Sequence, residues 1–375
     1  MVRPIRIFIA LCLASAVTLV VYIHWARTRG NSAGAPISAA PLMVAPPPAS
    51  STPISTTDAT PLPAYTESGP ESRNASSGIA QNKMTKLVFF RYNGLDSHYG
   101  QLAFVPYLNA SQPHFIDTLS CEVAHIAGGR GICLAANRGV FTTYLAKLFD
   151  VKTFQILAQF PLNGVPSRCR VSMDGKLAAL TVFVSGHGYA SLNFSTQTLL
   201  IEADKGRLIA DLEEFTVSRD GQTISNKDFN FWGVTFTPDT RHFYATLSTN
   251  RRHFLVKGDI SNRSVNVIHD DVECPSLSPN ASRIAYKKRF MVEGRVYWQL
   301  HILDLMTDRE TPLGEKRSVD DQLEWLDNDH VLYSLPETET GSSASTNIWL
   351  VAADGISAPT LFLKKAYSPA VAPVL

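Results

Sequence analysis

The sequence predicts an all-β fold, a six-bladed β-propeller closed by pairing of its N- and C-terminal strands. Three observations predict it. An apolar strand, a tight polar turn and a second apolar strand recur along the chain, most clearly in CPSLSPNASRIAYKKR, Cys274 to Arg289. Relatives stand at Ser167 to Phe183, Trp232 to Leu247 and Asp320 to Leu335, with a degenerate copy at Cys121 to Asn137. The turns fall near Gly128, Asp174, Asp239, Asn280 and Asn328, at spacings of 46, 65, 41 and 48 residues. That period fits four strands per blade, with one insertion in the third blade. The ends carry complementary fragments: Ser368-Pro369-Ala370-Val371-Ala372-Pro373 reads as an opening strand without partners, LVFFRY and GQLAFVPYL as later strands without an opener. Joined, they complete the sixth blade and remove an exposed sheet edge.

Residues 1–30 precede this fold as a signal anchor or signal peptide. Ile7 to Ile23 is almost wholly apolar, with Arg3 and Arg6 before it and Arg27 and Arg29 after. A spanning helix needs about 20 apolar residues, ~17 at the short limit. His24, Trp25, Arg27 and Arg29 stand where cleavage would need small residues, so the run reads as an uncleaved anchor. This places the chain at the cell membrane as a single-pass protein with the propeller on the extracytoplasmic side. Cleavage would instead release it as a secreted protein.

Residues 31–83 are rich in Pro, Ala, Ser and Thr, with Pro46-Pro47-Pro48 at the centre. Such a composition buries too little apolar surface to offset its ordering entropy, so it reads as a disordered, semi-stiff tether. The GxSxG string at Gly30 to Gly34 falls at its start. A nucleophile elbow needs a strand-to-helix turn inside a packed sheet, which this context does not provide.

Residues 84–375 form the predicted propeller. LAALTVF, HFYATL, RIAYKK, WQLHILDL, HVLYSL and NIWLVAA are rich in β-branched and aromatic residues and bounded by Gly, Pro, Asn and Asp. Asp354-Gly355 between two apolar runs is a hairpin signal, because Gly accepts the positive φ such turns require. Only six of the 34 Lys and Arg and three of the 33 Asp and Glu precede residue 84, so the domain is near neutral. It carries no basic footprint for nucleic acid. Lys287-Lys288-Arg289 reads as a solvated strand end. The Asn-x-Ser matches at Asn74, Asn109, Asn193, Asn262 and Asn280 acquire meaning only in a host that glycosylates exported chains.

Cys121, Cys133, Cys169 and Cys274 lie in the domain, and an exported domain can keep disulfides. Cys121 and Cys133 flank one predicted turn, as a hairpin disulfide or as buried free thiols. No CxxC pair suggests a zinc ribbon.

SLSPNASRIAY and VSMDGKLAALTV resemble the SPDG-type repeat of TolB-like propellers, over roughly Met84 to Leu375. The run from VECPSLSP through RSVDDQLEWLDNDHVLYSL is similar to exported, membrane-associated TolB-like proteins of bacteria. The resemblance implies a translocation-related binding role. TolB itself has an N-terminal α/β domain where this chain has its apolar run and tether. No binding residue carries over from the family.

The residues point to a binding module without cofactor, acting on a protein, peptide or envelope polymer. Similar propellers precede the hydrolase domain of prolyl oligopeptidases, but the propeller here is followed by no α/β segment and contains no GxSxG. The alternative is a metal-dependent propeller hydrolase or lactonase, which needs carboxylates converging from the innermost strands. Those strands offer mainly Arg170-Val171-Ser172, Val234-Thr235-Phe236 and Ser276-Leu277-Ser278, with Glu324 the one carboxylate placed there. One carboxylate does not make a hard-cation site. FVSGHGYASL and DFNFWG, in the over-long third blade, put forward His187, Asp228 and Trp232 as ligand-binding residues. An exposed aromatic beside a polar group suits peptide or sugar contact. The competing reading has Trp232 wedged between blades and His187 in a turn.

Overall fold

The computed structural model describes residues 86–186, 188–189, 194–337 and 345–373. The apolar run Ile7 to Ile23, the tether and His187 lie outside them. Among the described residues no helix is long and apolar enough to cross a membrane.

The repeat turns are built by their own side chains. Asp174 accepts from Ser172 Oγ at 2.8 Å and Lys176 N–H at 3.1 Å. Asp239 repeats this with Thr237 Oγ1 and Arg241 N–H, and Asn280 with Ser278 Oγ and Ser282 N–H. Asx side chains that bond their own backbone two residues on favour such turns over continued strand. The strands on either side are therefore forced into hairpins.

Blade 1 begins with β1 (Lys86–Tyr92), β2 (Gln101–Pro106) and β3 (His114–Ser120). Blade 2 holds β4 (Val123–Ala127), β5 (Arg130–Arg138), β6 (Thr142–Asp150) and β7 (Ile156–Leu162). Blade 3 holds β8 (Val165–Val171), β9 (Leu177–Ser185), β10 (Ser195–Glu202) and β11 (Leu208–Asp211). A short hairpin, β12 (Thr216–Arg219) and β13 (Gln222–Ile224), precedes blade 4, which comprises β14 (Asn230–Phe236), β15 (His242–Thr249), β16 (Arg252–Asp259) and β17 (Ser264–Asp270). Blade 5 holds β18 (Glu273–Leu277), β19 (Arg283–Val292), β20 (Arg295–Asp304) and β21 (Glu310–Pro312). Blade 6 holds β22 (Glu324–Trp325), β23 (His330–Pro336), β24 (Thr346–Ala352) and β25 (Thr360–Leu363), and β26 (Ala366–Pro373) ends the described chain.

β26 is the innermost strand of blade 1. It pairs antiparallel with β1, Val371 opposite Val88 and Ala372 opposite Leu87, so the expected closure is present and the blades number six. The insertion differs from expectation in where it goes. Its hairpin joins the outer edge of blade 4, with β12 parallel to β17 and Val217 opposite Val265. A 3-10 turn, Leu212–Glu214, capped by the Asp211 side chain, carries the chain across from blade 3.

The core is distributed along the seams between neighbouring blades. Phe89 and Leu102 of blade 1 pack with Ile126 and Phe149 of blade 2, and Ala285 and Leu300 of blade 5 with Trp325 and Tyr333 of blade 6. Each fully buried Phe or Leu contributes about 1.5–3 kcal/mol relative to exposure, so every seam holds its two blades together. Gly233 marks a close approach between the inner strands of blades 4 and 5. A Cβ there would lie 2.7 Å from the Cys274 Cα, and the residue has φ +65°.

Cys121 and Cys133 form a disulfide, with their Cα atoms 5.4 Å apart. Cys169 and Cys274 are buried free thiols. The expectation of a solvated Lys287-Lys288-Arg289 end is corrected: Lys287 is fully buried, and Lys288 and Arg289 are half-buried and ion-paired with Glu310 and Glu273. The Lys287 ammonium is ion-paired with Asp320 and stands 4.5 Å from the Trp298 ring centre. Both faces of β19 are buried in seams, and Lys287 shares with Ala285 the face toward blade 6, where Asp320 meets it.

Candidate functional site

All six inner strands run in the same direction along the channel and finish around one open cavity of about 240 Å³. β26 contributes Val371 to Pro373, β4 His125 and Ala127, β8 Arg170 and Val171, β14 Thr235 and Phe236, β18 Ser276 and Leu277, and β22 Glu324 and Trp325. The walls are mainly apolar, and Met173 stands exposed at the rim. The polar groups form the floor.

That floor is a buried triad. Arg170 on blade 3 reaches across the channel to the Glu324 carboxylate on blade 6. His125 Nε2 on blade 2 lies 3.4 Å from the same Glu324 oxygen. The Val171 amide donates to His125 Nδ1 at 3.1 Å, so that nitrogen is the acceptor and Nε2 carries the proton toward Glu324. Arg170 Nη1, 3.2 Å from the protonated Nε2, then abuts it without a productive hydrogen bond. Arg170 Nη2 donates to the Leu323 carbonyl at 3.1 Å and to Ser276 Oγ at 3.3 Å, while its Nε has no partner.

Electrostatics follow from burial and pairing. Desolvation works to raise the Glu324 pKa, but the Arg170 charge and the His125 contact outweigh it and hold the carboxyl below its usual range. Burial pushes the His125 pKa down, against the opposing pull of Glu324. Glu324 is thus an anion and His125 neutral near pH 7. The second Glu324 oxygen accepts the Val371 amide at 3.1 Å, so both oxygens are engaged. Among the described residues no group of three His, Cys, Asp or Glu could hold a metal ion.

Behind the triad a hollow of about 20 Å³ is lined by Arg168, Asp321 and Tyr367. It has room for about one water molecule. Beyond it, where the inner strands begin, the channel end is filled. Tyr189 stacks on Trp232 with ring centres 4.7 Å apart, and Arg168 pairs with Asp320 at 3.5 Å. Glu273, fully buried, accepts from Arg289 Nε at 2.6 Å and Trp298 Nε1 at 3.1 Å. Burial works against its ionisation, yet Lys287 and Arg289 keep its pKa low.

Of the residues put forward from sequence, Trp232 and Asp228 stand apart, and His187 lies outside the described residues. Trp232 lies at this filled end, fully buried with Phe183, Tyr189, Cys274 and Trp298, so it presents no exposed aromatic face. Asp228 is exposed and caps the turn after β15, accepting from Thr249 Oγ1 and the Asn250 amide, both at 2.6 Å. Glu324, recognised from sequence as an inner-strand carboxylate, is at the centre of the mouth. His125 and Arg170 were not singled out. A signal for them exists: Arg170, Thr235, Ser276 and Glu324 all stand four residues before the turn residues Asp174, Asp239, Asn280 and Asn328. His125 stands four before Gly129, so one repeat position faces the channel in five blades.

No protein-family model and no curated protein matches the chain. Among solved structures, TolB from Acinetobacter baumannii is similar over 77% of this chain and 67% of its own, at 16% identity and a TM-score of 0.52. A putative TolB from Agrobacterium tumefaciens is similar over 75% and 89%, at 11% identity and a TM-score of 0.43. Oligogalacturonate lyase from Vibrio parahaemolyticus is similar over 67% and 71%, at 9% identity and a TM-score of 0.42. With six blades, Asx-turned repeats and a closing C-terminal strand, the described chain has the TolB-like six-bladed β-propeller fold.

Proposed function

We propose that this chain is a membrane-tethered, extracytoplasmic propeller that acts as a non-catalytic binding module. It takes a protein, peptide or envelope polymer at the channel mouth, in the translocation-related role its repeats' resemblance suggests. The observation carrying this reading is the mouth itself: apolar walls from six blades around charges already committed to one another.

An apolar group entering the mouth loses water contact on all sides, at roughly 25 cal/mol per Å² buried. Met173 at the rim can repack around differently shaped groups, because its unbranched thioether side chain adapts. The triad does not supply a nucleophile and base. Ser276 Oγ is bonded to Arg170, and His125 has one nitrogen fixed by the backbone and the other turned to Glu324. A base must stand within hydrogen-bond reach of the proton it removes.

A photo-crosslinker replacing Met173 in the native membrane tests the reading. It should capture a discrete envelope component, and Ala127→Trp, which fills the mouth, should abolish the capture. Turnover of ester, lactone or glycoside substrates by the purified protein would refute a non-catalytic role.

A further inference from the structure

The inner strands finish at the mouth, so second strands run back from it, and the turns joining second to third strands lie on the opposite face. On that face the hairpins of blades 2 and 5 have the longest strand pairs among the described residues. β19 and β20 have ten residues each and β5 and β6 nine each, against nine and eight in blade 3 and six to eight in blades 1, 4 and 6. Their tips are apolar and exposed: Val140 and Phe141 at 96% and 83%, Met291 and Val292 at 65% and 50%. Blades 2 and 5 stand opposite each other in a ring of six. Beside the first tip runs a groove between blades 2 and 3, of about 470 Å³, whose lining includes Tyr144, Phe183 and Val184 and no charged residue.

A target that meets both tips at once must be flat and span the ring, and a lipid surface has that shape. Arg138, which also pairs with Glu122, and Arg295 flank the two tips. Long basic side chains beside apolar ones suit the phosphate level of a bilayer. No acidic residue stands within residues 137–143, and Glu293 leaves the blade 5 tip neutral. On the mouth face the exposed apolar residues include Leu108, Met306 and Ile356 in separate turns, Met173 at the cavity rim, and Ile156 and Leu157 at the start of β7.

The chain enters β1 at Lys86, on the mouth face. We propose that the tips of blades 2 and 5 insert shallowly into the lipid bilayer, holding the channel mouth away from the membrane. The proposal rests on the reading of Ile7 to Ile23 as a membrane anchor only for bringing the domain close to lipid.

The test uses the full chain in vesicles of phosphatidylethanolamine and phosphatidylglycerol, with p-benzoylphenylalanine replacing Phe141, Met291 or, as the mouth-face control, Met306. Illumination should give lipid adducts at 141 and 291, and none above background at 306. Adducts at 306 instead of the tips, or at none of the three, overturn the proposal. Alkaline carbonate extraction reads the anchor separately. A chain stripped from the vesicles that still gave tip adducts on illumination keeps this proposal and removes the anchor. A chain that resists carbonate without tip adducts does the reverse.

Discussion

Arg170 and Glu324 stand on opposite blades, the third and the sixth, and meet across the channel. Their pair fixes the floor of the mouth and ties two blades that share no seam. Glu324→Gln leaves the Arg170 charge buried with its counter-charge gone. Removing one partner of a buried pair costs about 3–5 kcal/mol, so a clear fall in Tm is expected. The double variant Arg170→Met with Glu324→Gln should recover much of it. Equal Tm values for all three proteins would refute the pairing.

Acid should destabilise the domain. Glu324 and Glu273 have folded pKa values below their ordinary range, so their contribution is present above the unfolded pKa and lost as pH falls through the folded one. His125 is also depressed, by burial, so its neutral form favours folding above about pH 6.5 and the benefit is lost below that. Denaturant midpoints should drop in two stages, first below neutrality and again below the carboxylate range. His125→Gln should reduce the first stage. Other depressed histidines, His253 and His301, will leave a remainder.

Gly233→Ala should destabilise by about 1–3 kcal/mol, the usual cost of a non-glycine side chain held in a sparsely populated conformation. Its Cβ would also press on the Cys274 backbone in the next blade. Gly221→Ala, with positive φ but nothing within 4 Å of its Cβ, is the comparison that isolates the inter-blade clash. Chemical denaturation of both variants measures the difference.

Cys121→Ser with Cys133→Ser should lower stability by about 2–3 kcal/mol, the loop-closure value for so short a loop. Melting of the variant, and of the native protein under reductant, should agree. A variant as stable as the native protein would remove the disulfide from the list of fold determinants.

Met173→Asp should weaken capture at the mouth while leaving Tm within about 0.5 kcal/mol equivalent of native, as exposed substitutions generally do. Crosslinking yield and melting are read on the same preparation. Unchanged yield would move the binding site elsewhere.

The blade count and the closure were legible because Asx turns and apolar runs recur in sequence, and ladder pairing simply realises them. The strand Ser368 to Pro373 could be paired with LVFFRY because each lacked the partner the other supplied. The destination of the insertion was not legible, since β12 joins β17 through parallel pairing across a long separation. Neither was the fate of Lys287, whose burial depends on Asp320 from another blade. At the mouth, Glu324 could be seen as an inner-strand carboxylate. His125 and Arg170 become a set with it only when three repeats are superposed on one axis, because no two of them are near in sequence.

Blade 1 is assembled from the first and the last strands of the domain, with five other blades between them in the chain. During synthesis, blades 2 to 6 can each complete their own sheets as they emerge. β1 must wait, its inner edge open, until β26 arrives. A chain halted before that point holds five finished sheets and one unlatched edge, so loss of its final stretch exposes the edge that closure covers.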